Sequence, residues 1–232
     1  MRDLEAVIER IDKLEQTMPE QLELPLVCRE KLRAILLGIA IGDALGNTSE
    51  SYRPRDRNRA FGEITGYLPN SRVEGRCLGC PSDDTQMSFW LAAHLLEYGR
   101  LDPEQLAGIF ATKPIFGMGQ SVRQFRANWS QGLPWQAAGV TSAGNGAIMR
   151  IAPMLLAAES YKGAEFAREV ARCAAITHNE QGAIASAVAW VYFLADLSSQ
   201  DTTPTPSNFI IQFLHLRLKF RMQHPSPTGI GC

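Results

Sequence analysis

The most constraining feature of the sequence is a succession of helix-forming segments rich in Ala, Leu and Met. Long alternating runs of β-branched residues, which would favour strands, are absent from the body of the chain. Helices are predicted at Leu32–Leu45, Thr85–Tyr98, Pro103–Phe110, Ser121–Trp129, Ala147–Ala158, Ala164–Ile176 and Gln181–Leu197. The sequence therefore predicts an all-α domain. Long loops are expected at Ser51–Pro81 and Phe116–Asn145, and loops of this length in a helical domain are usually either functional or disordered.

The two ends of the chain differ from this body. Residues 1–30 are predicted to form an N-terminal helical extension, residues 31–197 the helical domain, and residues 198–232 a linker and tail. The linker Ser198–Ser207 is polar and contains proline. Leu214–Met222 alternates strictly over nine residues, with basic side chains on one face, which is the period of a strand. We expect this tail not to pack as part of the helical domain.

Charge and composition exclude several classes of function. The 232 residues carry 23 Lys and Arg against 24 Asp and Glu, so no overall positive field attracts nucleic acid or an anionic membrane. No strongly apolar stretch reaches the roughly 20 residues of a membrane helix, and no secretory signal is visible. Five irregularly spaced cysteines do not resemble a disulfide framework. We expect a cytoplasmic protein that binds neither nucleic acid nor membranes.

The sequence Ser82-Asp83-Asp84-Thr85 opens an apolar helix and has two interpretations. In the first it is a helix cap, in which Ser82 or Asp83 accepts backbone N–H bonds and Gln86 closes a capping box. In the second it is a metal site, because adjacent carboxylates repel unless a cation offsets their charge. At a first helical turn both carboxylates can converge with a hydroxyl on a hard cation such as Mg²⁺. Both interpretations stay open.

Asp43 ends a nearly wholly apolar helix that is predicted to be buried on most sides. An ionised carboxylate there needs a partner. It either bonds a neighbouring helix N-terminus or loop backbone, or it serves a functional site. Gly38, Gly42 and Gly46 share one face of the helix, and a face without side chains lets a backbone or a ligand approach closely. Glu50 follows one turn later, on a predicted loop that faces the backbone or ligand approaching the glycine face.

Gly144-Asn145-Gly146-Ala147 forms a Gly-rich turn that opens a predicted helix. Such a turn presents backbone N–H groups and is a generic anion site, but taken alone it is weak evidence and more often has a purely structural role. His178 lies near the junction of two predicted helices. A lone histidine in that position is more often a structural group than a ligand.

Together these segments resemble the ADP-ribosylglycohydrolase family from about Leu32 to Leu197. The resemblance rests on G-x-x-x-G-D-A-x-G-x-x-x-E at Gly38–Glu50, S-D-D-T at Ser82–Thr85, G-N-G-x-x-M-R-x-x-P at Gly144–Pro153, and Thr177-His178. It implies an all-α fold with a dinuclear Mg²⁺ (or Mn²⁺) centre in a cleft. There the bond between ADP-ribose and a protein side chain is hydrolysed at the anomeric carbon of the distal ribose.

The resemblance also implies roles for the residues around the metals. Ser82, Asp83 and Asp84 would ligate the metal ions. Asp43 would hold these ligands in position without contacting the metal itself. Glu50 would lie on a mobile loop beside the site, as a candidate acid/base or gate. Two metal ions suit this chemistry, since they orient ribose hydroxyls, polarise a water and stabilise developing charge.

The remaining matched residues would contact the substrate, which the resemblance implies to be an ADP-ribosylated protein or ADP-ribose itself. Gly144, Asn145, Gly146 and Ala147 would hold the diphosphate and the distal ribose. His178 would also contact the ADP-ribose.

One part of the family pattern is missing. The family takes its other metal ligands from a later D-x-D-[ST] motif, whereas Asp201-Thr202-Thr203 lacks the second aspartate. The chain thus resembles a family member cut short, with half of the metal site visible and an unrelated tail. Two functions stay open. One is Mg²⁺-dependent removal of ADP-ribose from modified side chains, and the other is a non-catalytic ADP-ribose-binding or structural, crystallin-like role.

Overall fold

The computed structural model describes residues 24, 27–70, 73, 75, 77–162, 164–200, 202 and 204–219. Within these residues there are ten α-helices, two 3₁₀ helices and no strand. The α-helices are α1 (Arg29–Gly46), α2 (Pro54–Phe61), α3 (Asp83–Tyr98), α4 (Pro103–Thr112), α5 (Gln120–Ser130), α6 (Trp135–Ala138), α7 (Ile148–Ile151), α8 (Ala164–Ala175), α9 (Gln181–Ser199) and α10 (Pro206–Lys219). The predicted all-α fold is confirmed.

Several helices begin and end where the sequence provides a cap. The Asp102 carboxylate accepts a 3.0 Å hydrogen bond from the Gln105 backbone N–H at the start of α4. The Glu180 carboxylate accepts one of 2.9 Å from Ala183 at the start of α9. Gly99 ends α3 with a left-handed φ of 71°, a conformation that favours glycine at helix C-termini. Such local signals explain why the sequence predicts these helices well.

The central helix of the core is α9, which is apolar nearly all round. Eleven of its 19 residues are buried, and α8, α7 and α10 pack around it. Its length and composition would also suit a membrane-spanning helix. However, 67% of its most apolar window is buried within the protein, which is typical of a core helix.

Helix α3 connects this core to the surface. Met87, Leu91 and Leu95 recur at one-turn intervals and are almost completely buried. They pack α3 against the 3₁₀ helix Ala152–Ser160 and against neighbouring helices. The N-terminal end of α3, which carries the S-D-D-T sequence, is therefore anchored by a rigid helix while its first turn lies at the edge of the core.

Helix α1 is less buried than its composition predicts. Of its 18 residues only Ala44 is buried, and Leu37 and Ile41 are 58% and 47% exposed. A Cβ atom added to Gly38 or Gly42 would meet nothing within 4 Å. The prediction of burial on most sides is wrong, and the glycine face is open instead of packed against another backbone.

The strand predicted at residues 214–222 is wrong for the part of it that the structure describes. Residues 206–219 form helix α10, and residues 220–222 lie outside the described residues. Most of the predicted N-terminal helical extension, at residues 1–23, 25 and 26, also lies outside them. Helix α2 was expected to be loop, and the predicted helix 147–158 is short α7 followed by a 3₁₀ helix.

Aromatic packing explains why the described part of the tail is helical. Phe209 and Phe213 lie one helical turn apart and contact Trp190 and Phe193 of α9. The ring centroids are 4.7 to 6.2 Å apart, and all four pairs have the edge-to-face arrangement that stabilises aromatic contacts. The expectation that the tail does not pack against the helical domain is therefore wrong for α10.

We predict that Phe213→Ala lowers the free energy of unfolding by about 1–3 kcal/mol, because it removes a partly buried ring from the contact with α9. The matched control is Ile210→Ala on the same helix, where the side chain is 56% exposed and the change should cost less than about 0.5 kcal/mol. Urea unfolding measures both. Equal effects would show that α10 does not stabilise the domain.

Candidate functional site

The N-terminus of α3 is capped by a side chain from another helix. One carboxylate oxygen of Asp43, Oδ2, accepts hydrogen bonds from the backbone N–H groups of Ser82 (2.7 Å) and Thr85 (3.2 Å). It also accepts one from the Thr85 hydroxyl (2.6 Å). The other oxygen, Oδ1, accepts one from the Ser82 hydroxyl (2.6 Å). Ser82 is the N-cap residue but makes no side-chain cap bond of its own.

This arrangement shows one of the two interpretations of Asp43 and corrects part of the capping interpretation of S-D-D-T. Asp43 bonds a neighbouring helix N-terminus, as one of its two interpretations expected. The predicted capping box is not formed, because the Gln86 side-chain oxygen accepts a 2.8 Å hydrogen bond from the Phe116 backbone instead. The cap of α3 thus does not depend on Asp83 or Asp84.

Burial raises the pKa of Asp43, but the hydrogen bonds from Ser82, Thr85 and Asn47 outweigh it and leave the pKa below its usual value. The Asn47 side-chain amide donates to Asp43 Oδ1 (3.1 Å) and to the Cys80 carbonyl (2.6 Å). Sequence reasoning missed Asn47, although its position one helical turn after Asp43 places both on one face.

Asp83 lies beneath the loop that leads into α5. Its residue surface is only 8% exposed, and its carboxylate accepts a long 3.4 Å hydrogen bond from the Gly119 backbone. Gly117 has a left-handed φ of 79°, and a Cβ atom there would lie 2.9 Å from Cβ of Ser82. A glycine is therefore required for the loop to approach Asp83 this closely. Sequence reasoning missed Gly117.

Asp84 is half-buried and surrounded by other carboxylates. Burial is the largest influence on its pKa, followed by the negative charges of Asp43, Asp83 and Glu50, and together they raise the pKa to about 6. Burial is also the main reason why the pKa of Asp83 is raised. Each carboxylate therefore destabilises the charged form of its neighbour, and a cation placed between them would relieve this repulsion.

Two adjoining cavities share Glu50 and Asp84 in their walls, and we call them together the cleft. One cavity, of about 340 Å³, is lined by the open glycine face of α1, at Gly42 and Gly46, and by Asp43. Glu50 is exposed and follows a single 3₁₀ turn, Asn47–Ser49, after α1 ends at Gly46. The predicted loop position of Glu50 beside the glycines is confirmed.

The second cavity, of about 200 Å³, brings the other predicted residues to the same place. Its walls include Asp83 and Asp84 together with Gly144, Asn145, Gly146 and His178. Ala147 is buried directly behind this turn. Every predicted site residue therefore lies in the cleft or directly behind it, although the residues come from four separate parts of the chain.

His178 is 2% exposed, and the Gly-rich turn packs directly against its imidazole ring. A Cβ atom on Gly146 would lie only 2.5 Å from Cε1 of the ring, so this position requires a glycine. Burial, and then the positive charge of Arg150, lower the pKa of His178 to about 4. The imidazole is therefore neutral at physiological pH.

The donor set of the cleft suits Mg²⁺, which the resemblance implies. Carboxylate oxygens are its preferred protein ligands, and Mg²⁺ is commonly held by one or two carboxylates plus water and substrate phosphates. Asp83 and Asp84 offer such a pair. Within the described ranges, no three His, Cys, Asp or Glu side chains converge as a complete ligand cage. The observed donors therefore fit a two-carboxylate site.

A larger cavity, of about 520 Å³, lies at the opposite end of α3 and contains none of the predicted residues. Charged side chains that line it form ion pairs with one another, Arg100 with Glu165 and Arg172 with Glu169. The cleft, and not this cavity, therefore collects the residues that carry chemistry.

Comparison with known proteins identifies the family of this chain. The family model described as ADP-ribosylglycohydrolase matches residues 25–216, which include α10 as far as residue 216. The chain belongs to the ADP-ribosylglycohydrolase family. A solved structure described as an "ADP-ribosylglycohydrolase-related protein complex" shares the fold, with a TM-score of 0.58 and 24% identity over 84% of this chain and 59% of that one.

Two curated relatives illustrate the range of the family. An uncharacterized protein of Archaeoglobus fulgidus is 34% identical over 69% of this chain and 53% of its own length. The ADP-ribosylarginine hydrolase Tri1 of Pseudomonas putida is 29% identical over 67% of this chain and 43% of its own length. The chain thus spans about half the length of the curated relatives it matches.

We predict that Asp43→Ala lowers the free energy of unfolding by about 2 kcal/mol, because backbone N–H groups at the start of α3 lose their acceptor. The control is Asp56→Ala, which removes an exposed carboxylate from the first turn of α2. Thermal unfolding of both variants is the measurement. An Asp43→Ala variant no less stable than the control would show that the cap contributes nothing.

We predict the opposite sign for Asp84→Asn without divalent cations. Because the pKa of Asp84 is raised to about 6 in the folded state, its charged form destabilises the fold above pH 6. The variant should gain about 1 kcal/mol at pH 7.5, once solvent screening of this half-buried group is allowed for. The gain should shrink as the pH falls below 6. A loss of stability at pH 7.5 would contradict this electrostatic account.

Proposed function

We propose that the chain takes part in Mg²⁺-dependent hydrolysis of the bond between ADP-ribose and a modified protein side chain. The observation that carries this proposal is the Asp83–Asp84 pair, which is not needed to cap its helix and faces the same cleft as Glu50, the Gly144–Ala147 turn and His178. Membership of the family supports the reaction class. The name of the Pseudomonas putida relative makes ADP-ribosylated arginine the first substrate to test.

In this proposal Asp83 and Asp84 hold Mg²⁺, with Ser82 close beside them. Mg²⁺, when bound, supplies positive charge that orients the ribose hydroxyls and stabilises negative charge on substrate oxygens. The Ser82 hydroxyl donates to Asp43 and keeps lone pairs on its oxygen that could face a cation. Asp43 contributes by holding the first turn of α3 in place.

Glu50 is the proposed general base and acid. Its carboxylate is exposed at the rim shared by both cavities and is anchored only by a short 3₁₀ turn, so it can reach a water in the cleft. It would accept a proton as that water attacks the anomeric carbon, and the bond from this carbon to the arginine nitrogen would break. The proton would then pass to the departing guanidine.

The Gly-rich turn and His178 would bind the ADP-ribose itself. The exposed backbone of Gly144 and Asn145 lines the cavity, and a glycine backbone lets a diphosphate approach without steric hindrance. The neutral His178 imidazole on the other side of Gly146 would add a hydrogen bond without adding charge.

A second function, non-catalytic ADP-ribose binding, is favoured by one specific observation. In the part of the chain that the structure describes, Asp83 and Asp84 are not joined by a third carboxylate or histidine into a complete metal cage. A two-carboxylate site could hold the ligand through Mg²⁺ without activating water efficiently. The two functions differ in product release and not in binding.

The test is release of ADP-ribose from an arginine-modified peptide, with and without Mg²⁺. We expect Mg²⁺-dependent release that falls by at least about 100-fold in Glu50→Gln, as for loss of a general acid/base. ADP-ribose binding by that variant should persist. The matched control is Glu63→Gln, another exposed glutamate of the same loop region, outside the cleft walls.

Two outcomes separate the candidates. ADP-ribose binding without any release, in the presence of Mg²⁺, would contradict hydrolysis by this chain and favour the binding role. Absence of both binding and release would contradict both functions.

A further inference from the structure

A buried arginine stands behind His178. Arg150, on α7, is 0% exposed, and its guanidinium lies 4.8 Å from the centre of the Phe110 ring. One terminal nitrogen donates to the Cys173 carbonyl (3.0 Å) and to the Thr177 hydroxyl oxygen (2.8 Å). These acceptors are neutral, and so is the Cys173 thiol, whose pKa burial raises. A cation buried among neutral groups is costly, so its orientation is tightly determined by these few acceptors.

The Thr177 hydroxyl connects this arginine to the imidazole. Its oxygen accepts a hydrogen bond from Arg150 and lies 2.9 Å from Nδ1 of His178. Arginine has donors only, so the hydroxyl hydrogen remains available for a second partner. Among the described residues, Nδ1 of His178 is the acceptor within its reach. The adjacent positive charge also polarises this O–H group and favours its role as donor.

We propose that Arg150 and Thr177 hold His178 in the tautomer that carries its hydrogen on Nε2, so that the ring donates a hydrogen bond into the cleft. Arg150 and Thr177 are then positioning residues, and of these three residues only His178 contacts the ligand. The identity of that ligand as the diphosphate or ribose oxygens of ADP-ribose rests on the proposed function, whereas the tautomer does not.

The position of Nε2 supports donation of a hydrogen bond from this nitrogen into the cleft. A Cβ atom on Gly146 would lie 2.8 Å from Nε2, and one on Gly144 would lie 3.7 Å from it. Because Gly144 and Gly146 have no side chains, the Nε2 edge of the ring is not covered by the turn. His178 lines the second cavity together with Asp83 and Asp84. Among the described residues Nε2 has no hydrogen-bond partner, and His178 lines the second cavity, so this nitrogen is available to a ligand there.

A donor at this position suits an oxygen ligand. Asp83 and Asp84, which line the same cavity, repel anions, and a ring that presented a lone pair at Nε2 would repel them as well. An N–H group at Nε2 gives phosphate or ribose oxygens an attractive contact in this otherwise anion-repelling cavity. A neutral donor also leaves the charge balance of the carboxylate pair unchanged.

The tautomer is measured directly by ¹⁵N NMR of the histidine rings in the full chain, with the His178 signals assigned by their loss in His178→Gln. We expect hydrogen on Nε2 and not on Nδ1 in the wild type at pH 7.5. Thr177→Ser keeps the hydroxyl and should keep this state. Thr177→Val has nearly the same shape without the hydroxyl, and should shift His178 towards the other tautomer or a mixture.

Calorimetry with free ADP-ribose provides the second readout. Thr177→Val should weaken binding about five- to tenfold, as expected for one lost or misdirected hydrogen bond, whereas Thr177→Ser should bind like the wild type. A structural role for Thr177 would instead lower thermal stability without changing the tautomer.

The outcomes are distinct. Hydrogen on Nδ1 in the wild type, or an unchanged tautomer in Thr177→Val, would overturn the inference. The wild-type spectrum alone is decisive if Thr177→Val does not fold. If the predicted tautomer is present but the wild type binds no ADP-ribose, the inference about Arg150 and Thr177 stands and the proposed function fails.

Discussion

The cap that Asp43 places on α3 is the interaction on which the rest of the site depends. A helix N-terminus leaves several backbone N–H groups without partners, and a residue at its own start usually satisfies them. Here the acceptor comes from α1, 39 residues before Ser82 in the chain. The same carboxylate thereby joins the open glycine face of α1 to the first turn of α3. This contact therefore holds together the two helices whose residues line the 340 Å³ cavity of the cleft.

The distant cap also determines the electrostatics of the cleft. Because Asp43 satisfies the backbone of α3, the buried carboxylate of Asp83 and the half-buried carboxylate of Asp84 remain close together and unneutralised. Structures retain such repulsion mainly at functional sites, where a bound group compensates for it. In the same cavity, neutral His178 separates the ligand space from the buried positive charge of Arg150. The cleft therefore presents both carboxylates and a neutral ring and backbone to a ligand.

The parts of the fold that sequence predicts well are those determined locally. Capped helices such as α4 and α9, and the apolar repeat Met87-Leu91-Leu95, need no distant partner to be recognised. The tail shows the limit of this reasoning. Its alternating pattern predicts a strand, but Phe209 and Phe213 can bury their rings against α9 only as a helix. Burial of these rings outweighs the local period, and the sequence alone does not reveal their partner.

The site shows the same division between local and distant information. Motifs identify Ser82–Asp84, Glu50, the Gly-rich turn and His178 as candidates, and the structure brings all of them to one cleft. The choice between cap and ligand for Asp83 and Asp84 could not be made from sequence, because it depends on where the Asp43 side chain points. Asn47, Gly117 and Arg150 were missed as supports because their partners lie in other segments.

The central claim is that Asp83 and Asp84 form a cation site and not a helix cap, and Mg²⁺ calorimetry at pH 6 tests it most directly. Comparing two buffers of different ionisation enthalpy reveals whether binding releases a proton. Since the pKa of Asp84 is about 6, Mg²⁺ should displace a fraction of a proton from the wild type at pH 6 and almost none at pH 8. Binding should be weak, and it should be lost in Asp84→Asn. Mg²⁺ binding of the same strength in both proteins, without proton release, would contradict the account.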